Sequence, residues 1–191
     1  SARDDGMLTD TAPFVGIQYC GVGWAMVHPR LQWQLHQYYG NRRLIERQYD
    51  TSRRWLELVS AGVPDHAIRE GLGDHEALAE TKPEALLTPL YHESARLLAQ
   101  LGRPIGREAD AARHTALAEA IREAHARSPA GRHPPATQSA AAFALQLGWA
   151  GIAAATESSR TTSVRTASCA DAGSIGRALE SRSSTRSPSR Y

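Results

Sequence analysis

The sequence is short of cysteine, lysine and long apolar runs, and each shortage removes a class of protein. Cys20 and Cys169 are the only two cysteines, too few for a disulfide scaffold. Lys82 stands alone among 21 arginines; this reads as codon usage of GC-rich DNA and carries no functional meaning. No apolar run approaches the roughly 18–20 residues of a bilayer-spanning helix, so no membrane partner is expected. The opening Ser-Ala-Arg-Asp-Asp has neither an initiator Met nor an apolar signal region. It reads as an internal start, and the missing signal says nothing about secretion. There is no HExxH, GxSxG, P-loop or CxxC motif. His28, His36, His66, His92, His114, His125 and His133 do not form a metal-ligand set, and no cofactor is expected.

Charge of one sign is also scarce where the chain is able to fold. Residues 1–149 carry 16 Arg and Lys against 17 Asp and Glu, while residues 150–191 carry 6 Arg against 3 acids. The net +2 of the whole chain therefore belongs to its last segment. A nearly neutral body argues against a basic nucleic-acid-binding domain.

What is present is helical periodicity. A first helix is predicted from His28 to Tyr39, with Pro29 in its first turn, Leu31 and Leu35 at helical spacing, and Gly40-Asn41 as a stop. A second follows from Arg42 to Ser60 on Leu44, Ile45, Tyr49, Leu56 and Val59, mildly interrupted at Asp50-Thr51-Ser52. So short a link makes an αα-hairpin. A third helix is expected from Pro83 to Leu101, kinked or restarted at Pro89. A fourth runs from Glu108 to Ala126 and a fifth from Thr137 to Leu147. The connection 62–82, with Gly71-Leu72-Gly73-Asp74-His75 inside it, is long enough to suggest function.

The fold class is therefore all-α, built of helical hairpins, in residues 1–149. Residues 150–191 hold 10 Ser, 5 Thr and only four large aliphatics, Ile152, Val164, Ile175 and Leu179. So few apolar groups do not offset the entropy of ordering the segment, and it is expected to be a disordered Ser/Arg/Thr-rich tail. It reads as sequence never selected to fold, as in an out-of-frame translation, in preference to a phosphorylatable Arg/Ser arm.

Two places suit a ligand. Trp24 follows Gly16, Gly21 and Gly23; its indole serves either as a core anchor or as a platform for the C–H face of a sugar. In the Gly71–His75 loop, Asp74 either caps the next element or accepts sugar hydroxyls, with His75 beside it to donate or stack. Cys20 lacks any context for reactivity and reads as structural. Residue chemistry alone names no reaction.

The order of several segments is more specific. Asp4-Asp5-Gly6-Met7-Leu8, the aromatic segment at Pro13, Gly21-Val22-Gly23-Trp24 and a helix ending Gln37-Tyr38-Tyr39-Gly40 come first. Arg43–Tyr49, Arg54-Trp55, Gly71–Asp74, Pro83 with Tyr91, Leu97-Leu98-Ala99 and Ala111–Ile121 follow. Ala136-Thr137-Gln138-Ser139 and Ala144–Gly148 complete the series. Together they resemble the catalytic domain of bacterial α-L-rhamnosidases, six-hairpin glycosidases, over residues 4–149. The resemblance implies about half of an (α/α) six-hairpin barrel. It implies a family that releases terminal α-L-rhamnose with inversion, using two carboxylates on segments that have no counterpart in this chain. No catalytic residue is therefore assigned, and the chain alone is expected to be inactive.

The resemblance places Trp24, Asp74 and His75 in the sugar pocket, and a rhamnose-containing glycoside is the implied partner. His75 stands where the family has a tryptophan, Met26 where it has an aspartate, and Pro89 where it continues a helix. The alternative is a non-enzymatic helical-hairpin module that binds carbohydrate or protein. A third reading, a nucleic-acid-associated protein acting through the tail, is disfavoured by the neutral body.

Overall fold

The structure, a computed structural model, describes residues 2–9, 21–71, 73–74, 81–133 and 135–149. The tail expected at 150–191 lies outside the described residues, as does His75. Within them the chain is helical, with one isolated antiparallel bridge, Ala2 to Leu8, and no strand.

Helix α1 spans Val27–Tyr39 and α2 spans Arg42–Gly62. The turn between them uses the chemistry the sequence announces. Gly40 takes φ 64° and its N–H donates to the His36 carbonyl at 2.8 Å, a conformation cheap only for glycine. Asn41 then caps α2, its Oδ1 accepting from Leu44 N at 3.0 Å. The expected interruption at Asp50-Thr51-Ser52 does not occur, and α2 runs through it. Ser52 turns inward, fully buried, and its Oγ accepts from Gln32 Nε2 and meets His28 Nδ1, both at 2.7 Å. Its hydroxyl thus links α2 to α1 and has no need to recap the helix.

Helix α3 spans Pro83–Gly102 and buries 14 of its 20 residues. A helix covered on so many sides is the centre of its domain. It passes through Pro89 as one element. Because proline removes a single donor from the ladder and Pro89 is buried among neighbours, tertiary packing holds the helix together without a restart. Past a 3₁₀ turn at Arg103–Ile105, helix α4 runs over Glu108–Arg127. Ser128 caps a one-turn helix α5, Pro129–Arg132, by accepting from Gly131 N at 3.2 Å, where the sequence suggests only a break. Helix α6, Gln138–Gln146, starts at a Thr137 cap whose Oγ1 accepts from Ala140 N.

Helix α3 is the hub of the packing: α4 lies along it most extensively, and α1, α2 and α6 also pack on it, while α1 packs on α2. Trp55, Leu56, Tyr91, Leu98, Leu101 and Ile121 are at most 1% exposed and belong to the core these helices share.

Candidate functional site

The loop after α2 is fixed at both ends. Ile68 is buried and its N–H donates to Thr88 Oγ1 on α3 at 3.2 Å. Farther on, Gly71 takes φ 148°. Asp74 then lies half-buried against the start of α6. Its Oδ2 accepts from Ser139 Oγ in a short contact and from Thr81 Oγ1 at 3.4 Å. Thr81 Oγ1 also reaches Thr137 Oγ1 at 2.8 Å. A hydroxyl has one proton, so Thr81 serves Asp74 or Thr137 at any instant, and the shorter bond favours Thr137. Asp74 therefore anchors the N-terminus of α6 to the long loop.

Thr81 and Thr137 also line a cleft of about 620 Å³ between α3, α4, α5 and α6. Among the described residues Lys82, Arg122, His125 and His133 contribute basic side chains, Glu84 the single carboxylate, and Pro89, Ala140 and Trp149 apolar surface. The far wall is a stack of rings. Trp149 lies 4.9 Å from His92, edge to face, and 4.5 Å from His125. Burial pushes the His92 imidazole down to about 4 and lowers that of His125. Both are therefore neutral near pH 7. Their Nδ1 atoms and Trp149 Nε1 are buried without a hydrogen-bond partner. No group of His, Cys, Asp and Glu able to hold a metal occurs among the described residues.

The three residues expected from sequence are distributed unevenly. Asp74 is tied into this cleft's edge through Thr81 and Thr137. Trp24 precedes α1 and is 54% exposed. Among the described residues it shares no ring contact or hydrogen bond with Asp74. His75 lies outside the described residues.

Sequence reasoning missed Trp149, and a signal for it existed. Gly148 takes φ 68° and Trp149 N donates to Ala144 O at 2.8 Å, closing the six-to-one bond of a Schellman turn. A large apolar residue directly after such a glycine characteristically folds back onto its own helix, which is what brings the indole to His92 and His125.

Comparison with known proteins adds identity to this geometry. Residues 1–182 match the family described as the bacterial alpha-L-rhamnosidase 6 hairpin glycosidase domain, so the match continues well into the segment read as a tail. An alpha-L-rhamnosidase of Streptomyces avermitilis is 33% identical over 124 residues, 63% of this chain and 12% of the relative. The solved structure of the Streptomyces avermitilis alpha-L-rhamnosidase complexed with L-rhamnose superposes with a TM-score of 0.70 at 26% identity, covering 83% of this chain and 16% of that one. The alpha-L-rhamnosidase of Dictyoglumus thermophilum gives a TM-score of 0.70 at 19% identity over 84% and 20% of the two chains, a likeness of fold alone. The chain thus spans less than a quarter of the length of each of these relatives.

Proposed function

Because this chain belongs to the bacterial α-L-rhamnosidase six-hairpin glycosidase family, we propose that it forms part of the sugar-binding wall of an inverting glycoside hydrolase acting on terminal α-L-rhamnose. The likeness to a rhamnosidase solved with L-rhamnose carries this reading. The exposed indole of Trp24 offers a flat face to the C–H groups of a pyranose. Among the described residues Asp74 accepts on Oδ2 alone, from Ser139 and Thr81, and we assign Oδ1 to a sugar hydroxyl. His75, next in sequence, supplies a further donor or a stacking edge.

The chain by itself does not hydrolyse a glycoside. Inversion needs an acid to protonate the leaving oxygen and a second carboxylate to activate water across the sugar, roughly 6.5–9.5 Å away. Among the described residues the cleft is lined by one carboxylate, Glu84, where inversion needs two. The two catalytic carboxylates belong to other segments of the barrel.

Two measurements test this. An aryl α-L-rhamnoside is offered to the 191-residue chain and to the full-length gene product that contains it. Turnover is expected from the latter alone; a full-length protein with both carboxylates and no turnover overturns the enzyme reading. L-Rhamnose in the millimolar range is then titrated against the chain by tryptophan fluorescence. The signal is expected to change, and the change to vanish in Trp24→Ala. An equal response in the variant overturns the role given to Trp24.

A further inference from the structure

Asp74 stands on a long loop, and the group that holds it stands on a helix. The loop leaves α2 after Gly62 and is pinned to α3 where Ile68 N donates to Thr88 Oγ1. A loop alone holds a side chain less exactly than a helix or strand does. The carboxylate adds a freedom of its own, because rotation about the terminal bond of an aspartate is broad and lacks the sharp wells of a saturated chain. Both freedoms must be removed before one oxygen meets a ligand hydroxyl at hydrogen-bond distance.

The first turn of α6 removes them. Thr137 caps the helix, its Oγ1 accepting from Ala140 N, so the residues directly after it are held in helical geometry. Ser139 is the second of these, and its Oγ donates to Asp74 Oδ2. The positive end of the helix dipole lies at the same place, and the first turn of α6 contains no acidic residue of its own. Asp74, 65 residues earlier in sequence, brings the negative charge that such an end favours. Thr81 adds less: it lies 3.4 Å from Oδ2 and 2.8 Å from Thr137 Oγ1, and its single proton favours the nearer oxygen. The bond from Ser139 therefore pins the carboxylate by one oxygen and sets the direction of the other. Both side chains are half-buried, so a ligand can still reach the carboxylate.

We propose that Ser139 is a positioning residue for the sugar: it holds Asp74 Oδ2 so that Oδ1 is presented to a hydroxyl of the rhamnose ring. The inference rests on the sugar-binding role proposed above for Asp74. The loop supplies the ligating group and the helix supplies its aim. A Ser139 that only tethered α6 would contribute to stability and leave the affinity for sugar untouched, and the two roles separate in solution.

The test is made on the full-length gene product that contains this chain. Its readouts are L-rhamnose affinity by calorimetry, which needs no turnover, and KM and kcat on an aryl α-L-rhamnoside. Ser139→Ala puts a good helix former on α6, so the fold is kept, with the melting temperature as control. Its Kd and KM are expected to rise roughly tenfold, as for one misaligned charge-assisted hydrogen bond. Its kcat should change less than about threefold, because the contact is made alike in ground state and transition state. Ser139→Thr returns the hydroxyl and should restore both constants. In an Asp74→Ala background Ser139→Ala should add nothing, since a positioning residue acts only through the group it positions. Full rhamnose affinity in Ser139→Ala, with affinity lost in Asp74→Ala, overturns the proposal and leaves the sugar role of Asp74 standing. Full affinity in Asp74→Ala overturns that role and this inference with it. A loss in Ser139→Ala that Ser139→Thr does not repair, or that persists undiminished without Asp74, shows that Ser139 acts other than by aiming the carboxylate.

Discussion

The Tyr49 hydroxyl on α2 meets His114 Nδ1 on α4 at 3.3 Å, and both side chains are at most 2% exposed. Burial keeps each partner neutral: the phenol is pushed up to about 12, with Asp110 adding to the effect, and the imidazole down to about 4. One neutral hydrogen bond thus joins them, its direction set by the His114 tautomer. Above them Asp50, Arg53, Glu57, Arg113, Asp110 and Arg107 form a closed ring of ion pairs bridging the two helices. These pairs are largely solvated, so each contributes little. The buried bond beneath them is the more costly one to lose.

Tyr49→Phe removes the hydroxyl and strands a buried ring nitrogen. A loss of about 1–3 kcal/mol in unfolding free energy is expected, read from urea midpoints at constant slope. The same hydroxyl lies 3.2 Å from where a Cβ on Gly102 would sit, and the Arg107 carbonyl is equally close. Gly102→Ala should therefore cost less in the Tyr49→Phe background than in the wild type. Additive losses would show that the crowding comes from the Arg107 carbonyl alone.

The histidines also set the pH response. His92 and His114 fall to about 4 from an ordinary 6.5, and His28 and His125 move the same way through burial. A lowered folded value means that the unfolded chain binds protons first as the medium is acidified. Stability is therefore full above about pH 6.5 and falls as pH drops toward 4, by up to about 1.4 kcal/mol per pH unit for each histidine. Urea titrations at pH 7, 6 and 5 should show this decline, and His114→Gln should make it shallower. A stability independent of pH across that range would contradict the burial described for these rings.

Helix positions were legible because their signals are local. Gly40-Asn41, Pro83 and Thr137 mark boundaries within a residue or two of those observed. What stayed hidden depends on neighbours distant in sequence. Ser52 looks like a helix interrupter until Gln32 and His28 are seen to need its hydroxyl. Asp74 reads equally as a cap or a sugar ligand until Ser139, 65 residues away, is placed against it. Trp24 reads equally as a core anchor or a platform until its indole is seen to be exposed. The family resemblance, carried by the order of many weak motifs, supplied what no single spacing could.

Pro89 offers a test of how far packing overrides propensity. Proline inside a helix is disfavoured relative to alanine by about 3 kcal/mol, yet α3 continues through it. Pro89→Ala restores a donor to the ladder and removes some buried volume at the wall of the cleft. The first effect exceeds the second, so a rise in melting temperature is expected. A fall would mean that the pyrrolidine ring fills the space between α3 and α6 more usefully than a straight helix can.

Asp74 is the residue where structure and binding are most readily separated. Its Oδ2 accepts from Ser139 and, more distantly, from Thr81; Asp74→Ala leaves Ser139 without this acceptor, while Thr81 keeps Thr137. Ser139 is only half-buried, and the loss should be local: the first amides of α6 should exchange roughly tenfold faster, on the order of the ~1 kcal/mol of one net hydrogen bond. Asp74→Asn keeps an amide oxygen in the same position and should preserve much of that protection, while giving up the charge that strengthens a bond to a sugar hydroxyl. Hydrogen exchange and L-rhamnose titration of the two variants therefore part company. If Asn restores both exchange protection and sugar response, the charge of Asp74 has no part in binding; if it restores protection alone, the carboxylate serves the ligand as well as the fold.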